Sequence, residues 1–280
     1  MTSDLDFFAR RSFLALAATG ALLASGTAAP AAPTPDLMQI YADQDARTDG
    51  KPVFWLTRGR EYVLHEGDVF AIYDRHVIAA VRTIAQPDGG LKRPYVEAAF
   101  ATMPDVTDVP AKLQSPITGK SYPTPISNLL RLTLWISPAG EITQQVHLAS
   151  PNVSSRYKGT ASMVHSPWGK TLLTSSINAR GTAGSASFDL TEMGPYQADE
   201  SKRADGFTPA SREIIVLRQA PAYLLPVGVQ APMLGIHPSL KFATIDAVTQ
   251  ALTPAELIYY AAWLKNWEQR LYAEENVIIG

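Results

Sequence analysis

From residue 52 onward, short apolar runs alternate with Gly, Pro, Asp and Ser, a punctuation that predicts a succession of β-strands rather than repeated βαβ units. Strands are expected over 53–57, 61–65, 68–73, 76–84, 95–102, 129–136, 142–148, 172–177, 185–190 and 213–217. The best-defined unit is a hairpin that turns at Ser137-Pro138-Ala139-Gly140-Glu141. Leu130, Leu132, Leu134 and Ile136 share one face of its first strand, and Ile142, Val146 and Leu148 share one face of its second. Bringing those faces together sets Ile136 opposite Ile142, which places Arg131, Thr133 and Trp135 across from His147, Gln145 and Thr143 on the other face. The period then changes. Thr253-Pro254-Ala255-Glu256 supplies a capping hydroxyl, a proline at the first helical position and a glutamate able to reach back to the cap, followed by apolar residues at helical spacing. A helix is expected over 254–274, with Trp263 and Trp267 one turn apart on the face that packs against the sheet. The Pro-, Asp- and Thr-rich stretch 103–125 has no period and is expected to be a long ordered loop. The pattern as a whole predicts a mainly β protein: a single barrel-like or strongly curved antiparallel sheet with a C-terminal α-helix, occupying residues 33–280.

Residues 1–32 are expected to be an address rather than part of the fold. Arg10-Arg11 is a twin-arginine pair followed by an apolar stretch, small residues around Gly26-Thr27-Ala28, and a Pro-Ala linker, the order of a bacterial export signal with cleavage after Ala28. A spanning helix needs about 20 apolar residues, and Thr19, Gly20, Ser25 and Gly26 dilute this segment. No stable membrane span is expected. The implied partner of the precursor is the twin-arginine export machinery, and the implied destination of the mature chain is the periplasm or the exterior.

Charge and composition remove further classes. Lysine and arginine total 24 against 26 acidic residues, and removing Arg10 and Arg11 with Asp4 and Asp6 leaves 22 against 24, so neither form carries the basic footprint of a nucleic-acid partner. The absence of cysteine excludes disulfides, thiolate metal sites and cysteine nucleophiles. The histidines, at 65, 76, 147, 165 and 237, stand singly in none of the spacings of a zinc helix, so no metal and no cofactor are expected. Ser155-Arg156-Tyr157-Lys158 matches Ser-x-x-Lys without its companion elements, and no Gly-x-Ser-x-Gly elbow occurs. His65-Glu66 and Asp74-Arg75-His76 bracket one strand and read as surface charge clusters.

Several segments together resemble an exported bacterial family known as domain of unknown function 1838. They are Phe54-Trp55 leading to Glu66-Gly67-Asp68-Val69-Phe70, and Ser115-Pro116-Ile117-Thr118-Gly119-Lys120, which is similar to that family's Asn-Pro-x-Thr-Gly signature with Ser115 in place of Asn. Looser similarity covers 164–168 and 212–228. The resemblance implies one β-rich domain behind a signal peptide and implies no reaction.

The candidate chemistry sits on the polar face of the hairpin, which either is solvated or lines a barrel interior. If it lines a pocket, Arg131 binds a carboxylate or polarises a carbonyl, His147 moves a proton, and Trp135 and Gln145 contact the substrate. Two functions follow: an exported enzyme using acid–base chemistry on a small organic substrate, or a non-catalytic protein that binds a lipophilic ligand. Replacing Arg10 and Arg11 together by lysine is expected to trap the precursor in the cytoplasm, as cell fractionation would show; unchanged export would remove the twin-arginine assignment.

Overall fold

The structure, a computed structural model, describes residues 37–47, 49–106, 108–147, 154–165, 171–179, 188–196 and 206–276. The export segment 1–32 lies outside these residues, as do position 148 of one expected strand and 185–187 of another. A short helix, α1 (Leu37–Asp45), precedes the long strands β1 (Val53–His65), β2 (Asp68–Val81) and β4 (Leu91–Thr102), the last preceded by a two-residue β3 (Ile84–Ala85). A small hairpin of β5 (Lys112–Gln114) and β6 (Ser121–Pro123) follows. Then come β7 (Ile126–Ile136), β8 (Glu141–His147), β9 (Ser154–His165), β10 (Thr171–Ala179), β11 (Phe188–Tyr196), β12 (Ser211–Gln219) and β13 (Pro232–Phe242). Two helices, α2 (Ile245–Gln250) and α3 (Pro254–Glu274), close the described chain.

The hydrophobic pattern locates most strands but divides two of them wrongly. Stretches 53–57 and 61–65 are one strand, because Arg58-Gly59-Arg60 continues the alternation with charged groups instead of apolar ones. Stretches 68–73 and 76–84 likewise merge into β2, whose register against β1 shifts at Glu61/Tyr62 in a bulge. The β1–β2 turn is two residues long, with Glu66 (φ 52°) and Gly67 (φ 86°) both left-handed, as a primed hairpin turn requires. The expected loop 103–125 contains the β5–β6 hairpin. Its turn is held by buried Ser115, whose Oγ donates to the Leu224 carbonyl and accepts from the amides of Ile117 and Thr118.

All strands of the main sheet pair antiparallel, in the order β2-β1-β13-β12-β11-β10-β9-β8-β7-β4-β3. Because β2 also pairs with β4, from Asp74↔Thr102 to Val81↔Tyr95, the strands form a closed ring. The expected barrel-like antiparallel architecture is thus the one observed. Alternate residues of each strand face opposite sides. On β1 the odd positions Val53, Trp55 and Val63 face inward and the even positions Phe54 and Leu56 outward.

Two apolar clusters fill the ends of the ring. At one end Val53, Trp55, Val81, Tyr95, Leu134 and Ile136 pack with Tyr41 of α1. At the other, Val63, Ile72 and Met233 pack beneath Leu113 and Tyr122 of the small hairpin and Leu224 of the β12–β13 connection. Helix α1 is pinned from across the ring: Asp45 pairs with Arg93 of β4 at 3.0 Å and with Arg212 of β12 at 2.7 Å, and Lys241 of β13 donates to the carbonyls of Asp43 and Ala46. Arg212 also lies 4.0 Å over the Trp55 ring.

Helix α3 covers the outer wall of β1, β2, β4 and β7. It begins as the sequence predicts: Thr253 accepts from the amide of Glu256, and the Glu256 carboxylate accepts from that of Thr253. Trp263 is fully buried, and Trp267 meets Phe54 edge to face with centroids 4.8 Å apart. Glu256 also takes a bidentate pair from Arg58 and lies 3.1 Å from His76 Nδ1, so the cap is a junction between helix and barrel wall. Trp263→Ala is expected to cost about 3–5 kcal/mol and Thr253→Ala about 1 kcal/mol, both measurable by urea denaturation of the purified protein.

Candidate functional site

The hairpin register is the one the sequence predicts, with Ile136↔Ile142, Thr133↔Gln145 and Arg131↔His147 as backbone partners. Its polar face, however, is the outer wall of the barrel, and this corrects the expectation that Arg131, Trp135 and Gln145 line an interior cavity. Leu132, Leu134 and Ile136 fill the inside, so Arg131, Thr133 and Trp135 must point out, toward the C-terminal end of α3. Arg131 Nη1 lies 3.5 Å from Glu274 Oε1, and Thr133 Oγ1 donates to the same carboxylate at 3.2 Å. Trp135 has the Lys92 ammonium 5.9 Å from its ring and lines an open outer groove of about 480 Å³ with Gln86, Pro87 and Glu141. Gln145 is half-buried on the same wall, and the His147 side chain lies outside what the structure describes. Pairing two strands fixes which residues share a face, not which face is concave.

Inside the barrel, between the two apolar ends, a belt of ionisable groups projects from β1, β2, β4, β12 and β13. His237 Nε2 is 3.2 Å from Glu61 Oε1, close but poorly aligned for a hydrogen bond, and Arg218 Nη2 is 3.4 Å from the same oxygen. Arg218 Nη2 donates to the Tyr73 hydroxyl at 2.8 Å. Across β2, Arg75 Nη2 lies 3.6 Å from Glu97 Oε1, and Glu97 Oε2 accepts from the Tyr95 hydroxyl at 2.5 Å.

Local sequence makes room for this belt. On β13 the inward positions are Gly235, His237, Ser239 and Lys241, whereas Ile236 and Leu240 face outward. A Cβ at Gly235 would sit 2.8 Å from His237 Nε2 and 2.9 Å from Glu61 Oε2. One at Gly59 would sit 2.5 Å from the His237 Cα. Both glycines are therefore the space into which the imidazole and the carboxylate fit. Thr57 and Ser239 hydroxyls bond to each other at 2.7 Å in the same inner layer.

The electrostatics of the belt follow from burial against pairing. Burial alone would raise the pKa of Glu61, but His237, Arg218 and Arg75 outweigh it and lower it, keeping the carboxylate ionised. Burial and then the Glu61 charge raise the pKa of Tyr73, so its hydroxyl holds its proton while accepting from Arg218. Burial and Glu97 push Tyr95 well up. At the α1 end, burial brings the Lys241 ammonium down to about 8. Among the described residues no group of histidine and carboxylate side chains is placed to hold a metal ion. On the far side of its ring from Glu61, His237 Nδ1 makes no hydrogen bond to the described residues.

Of the surface charge clusters read from the sequence, His65 and Glu66 stand 3.8 Å apart, whereas His76 turns away from Asp74 to stack on Phe100 and meet Glu256. Sequence reasoning missed the Glu61–His237 pair. The signal available was the period-2 series Thr57-Gly59-Glu61 and Gly235-His237-Ser239, small and polar residues alternating with larger ones in two distant segments.

No family model matches the chain, and no curated protein matches it. Among solved structures, the beta domain of the Bordetella autotransporter BrkA is similar over 70% of this chain and 99% of that one, at 10% identity with a TM-score of 0.29. A likeness that distant carries no argument about this chain.

Gly235→Ala is expected to leave a folded barrel, because the atoms its Cβ meets are side-chain ends, but to drive His237 and Glu61 apart; the His237 ring resonances in NMR would report it. Since Glu61 has its pKa lowered on folding, its stabilising effect is present above the ordinary carboxylate value and is lost as the pH falls through the folded value. Glu61→Gln should cost about 1–3 kcal/mol near neutral pH and flatten the acid limb of the stability–pH curve.

Proposed function

We propose that the mature chain is an exported small-molecule protein whose site is the barrel interior, and that the site performs acid–base chemistry on a small organic substrate. The supporting observation is the pairing of His237 with Glu61 inside the ring, beside Arg218 and Tyr73. An ionisable pair is costly to bury unless it meets a partner or a ligand, and a lipophilic carrier needs only apolar walls and one anchor. In this reading His237 Nδ1 takes a proton from the substrate and returns it, Glu61 orients the ring and balances the imidazolium, and the Tyr73 hydroxyl donates to an oxygen on which charge develops. Isomerase, lyase and hydrolase chemistry all use such a set.

The second reading, a binding protein for a lipophilic ligand, is favoured by the apolar clusters on either side of the belt. The outer groove beside Trp135 is the secondary site, with Arg131 and Gln145 on the same wall and His147 the backbone partner of Arg131. Export through the twin-arginine route to the periplasm rests on Arg10-Arg11 and the short apolar segment. No helix among the described residues is long and apolar enough to cross a membrane. The near-neutral charge gives no ground for a nucleic-acid partner, and the similarity to the domain of unknown function 1838 family stands with this proposal.

Native mass spectrometry of protein isolated gently from the exported fraction tests the site, and the captured molecule then tests the chemistry. Wild type should convert the molecule on incubation, whereas His237→Asn and Glu61→Gln should hold it unconverted with at least a hundredfold loss of rate. Retention of an unchanged ligand by all three proteins would favour the carrier instead.

A further inference from the structure

Several described arginines close a planar fork on one carboxylate. Arg47 closes both ends of its fork on Asp49 at 2.8 and 2.7 Å, Arg58 on Glu256 at 2.8 and 2.6 Å, and Arg60 on Asp74 at 2.5 and 2.9 Å. Arg75 is different. It faces into the ring, its only ion pair is the 3.6 Å approach to Glu97, and it makes no hydrogen bond among the described residues. It nevertheless keeps 32% of its side-chain surface accessible, and Arg218, also inward, keeps 23%. Both inward guanidinium groups are thus within reach of a solvent-sized molecule.

The carboxylates nearby each have a second partner besides this guanidinium. Glu97 already accepts a 2.5 Å hydrogen bond from Tyr95, and Glu61 has His237 and Arg218 beside it. The planar fork of Arg75 thus makes one loose ion pair and no hydrogen bond among the described residues, and five donors in fixed geometry suit a carboxylate taken end on. Arg218 adds a second set of donors close by: its Nη2 is engaged by Tyr73, but its Nε is buried with no hydrogen-bond partner.

We infer that the barrel interior takes an organic carboxylate, with Arg75 as the anchor of its head group and Arg218 as the second donor. The inference rests on the reading that the interior holds a small molecule, and it adds the ligand's chemical class. The head group occupies the open fork of Arg75, and the apolar body lies against the neighbouring inner cluster, within reach of His237. Glu61 stays paired with His237 and Arg218, so binding brings one negative charge to an arginine whose own partner is loose.

The test compares benzoate with benzamide, which match in shape and differ in charge, by isothermal calorimetry on the whole mature protein. Wild type should bind benzoate at least tenfold more tightly than benzamide. Arg75→Gln should erase that preference while leaving benzamide within twofold, and Arg60→Gln, which removes an arginine of the outer wall, should leave the preference intact. Arg75→Lys keeps the charge without the fork and should retain only part of the preference, which covers the case in which Arg75→Gln does not fold. Equal binding of the two probes by wild type would overturn the carboxylate while leaving an interior site, as would a preference unchanged in the Arg75 variants or equally lost in Arg60→Gln. Binding of neither probe would overturn both the carboxylate and the interior site.

Discussion

Pairing of β2 with both β1 and β4 is the constraint on which the rest of this structure depends. A meander of antiparallel strands left open would expose a backbone edge at β2 and another at β4, each inviting a foreign strand. Joining them from Asp74↔Thr102 to Val81↔Tyr95 satisfies both edges and gives the sheet an inside. Once the ring is closed, the side-chain alternation of each strand becomes a choice between lumen and outer wall. The bulge opposite Glu61 and Tyr62 lets a strand as long as β2 serve two neighbours while following the curvature of the ring.

The closed ring then sets the electrostatics. A charge inside a barrel loses most of its hydration, so the lumen tolerates ionised groups only in sets that answer one another. Two such sets exist, and they differ in kind. At the α1 end Asp45 is gripped at 2.7 and 3.0 Å by arginines from separate arcs of the ring, and Lys241 spends its donors on carbonyls at the end of the helix, so the charges act as pins. In the middle belt the pairs between charged groups are 3.2 to 3.6 Å apart, while the hydrogen bonds joining Arg218 to Tyr73 and Tyr95 to Glu97 are 2.8 and 2.5 Å. Tight pairing immobilises; looser pairing leaves donors and acceptors for something else. This contrast is why the belt rather than the α1 end carries the functional reading.

Helix α3 supplies the opposite wall of the argument. Its aromatic face needs an apolar surface, and the even-numbered residues of β1, β2 and β4 provide one on the outside. The same helix draws Arg131 and Thr133 toward Glu274, so the polar face of the β7–β8 hairpin is engaged in holding the helix end. A tryptophan among polar neighbours does not require a barrel pocket: Trp135 lines an open outer groove with the Lys92 ammonium 5.9 Å from its ring. Glu256 shows the same economy at the other end of α3, where one carboxylate serves the helix cap, Arg58 and His76.

The sequence by itself determined the local terms: which stretches are extended, the capping box that opens α3, the turn at residues 137–140, and the register of β7 on β8. These are settled by side-chain period and turn chemistry between near neighbours, which a linear pattern contains. Strand β13 escaped because, apart from Met233, its inward positions are Gly, His, Ser and Lys while Ile236 and Leu240 face outward, nearly the reverse of the usual core pattern. Helix α1 escaped because its worth lies in Asp45 reaching arginines far along the chain. Only the tertiary structure could decide which side of each strand is the lumen, since an alternating strand is equally consistent with either side until the ring closes. That decision moved the candidate chemistry from Arg131 and His147 to Glu61 and His237, residues of two segments far apart in the chain that become neighbours only because β1 and β13 pair.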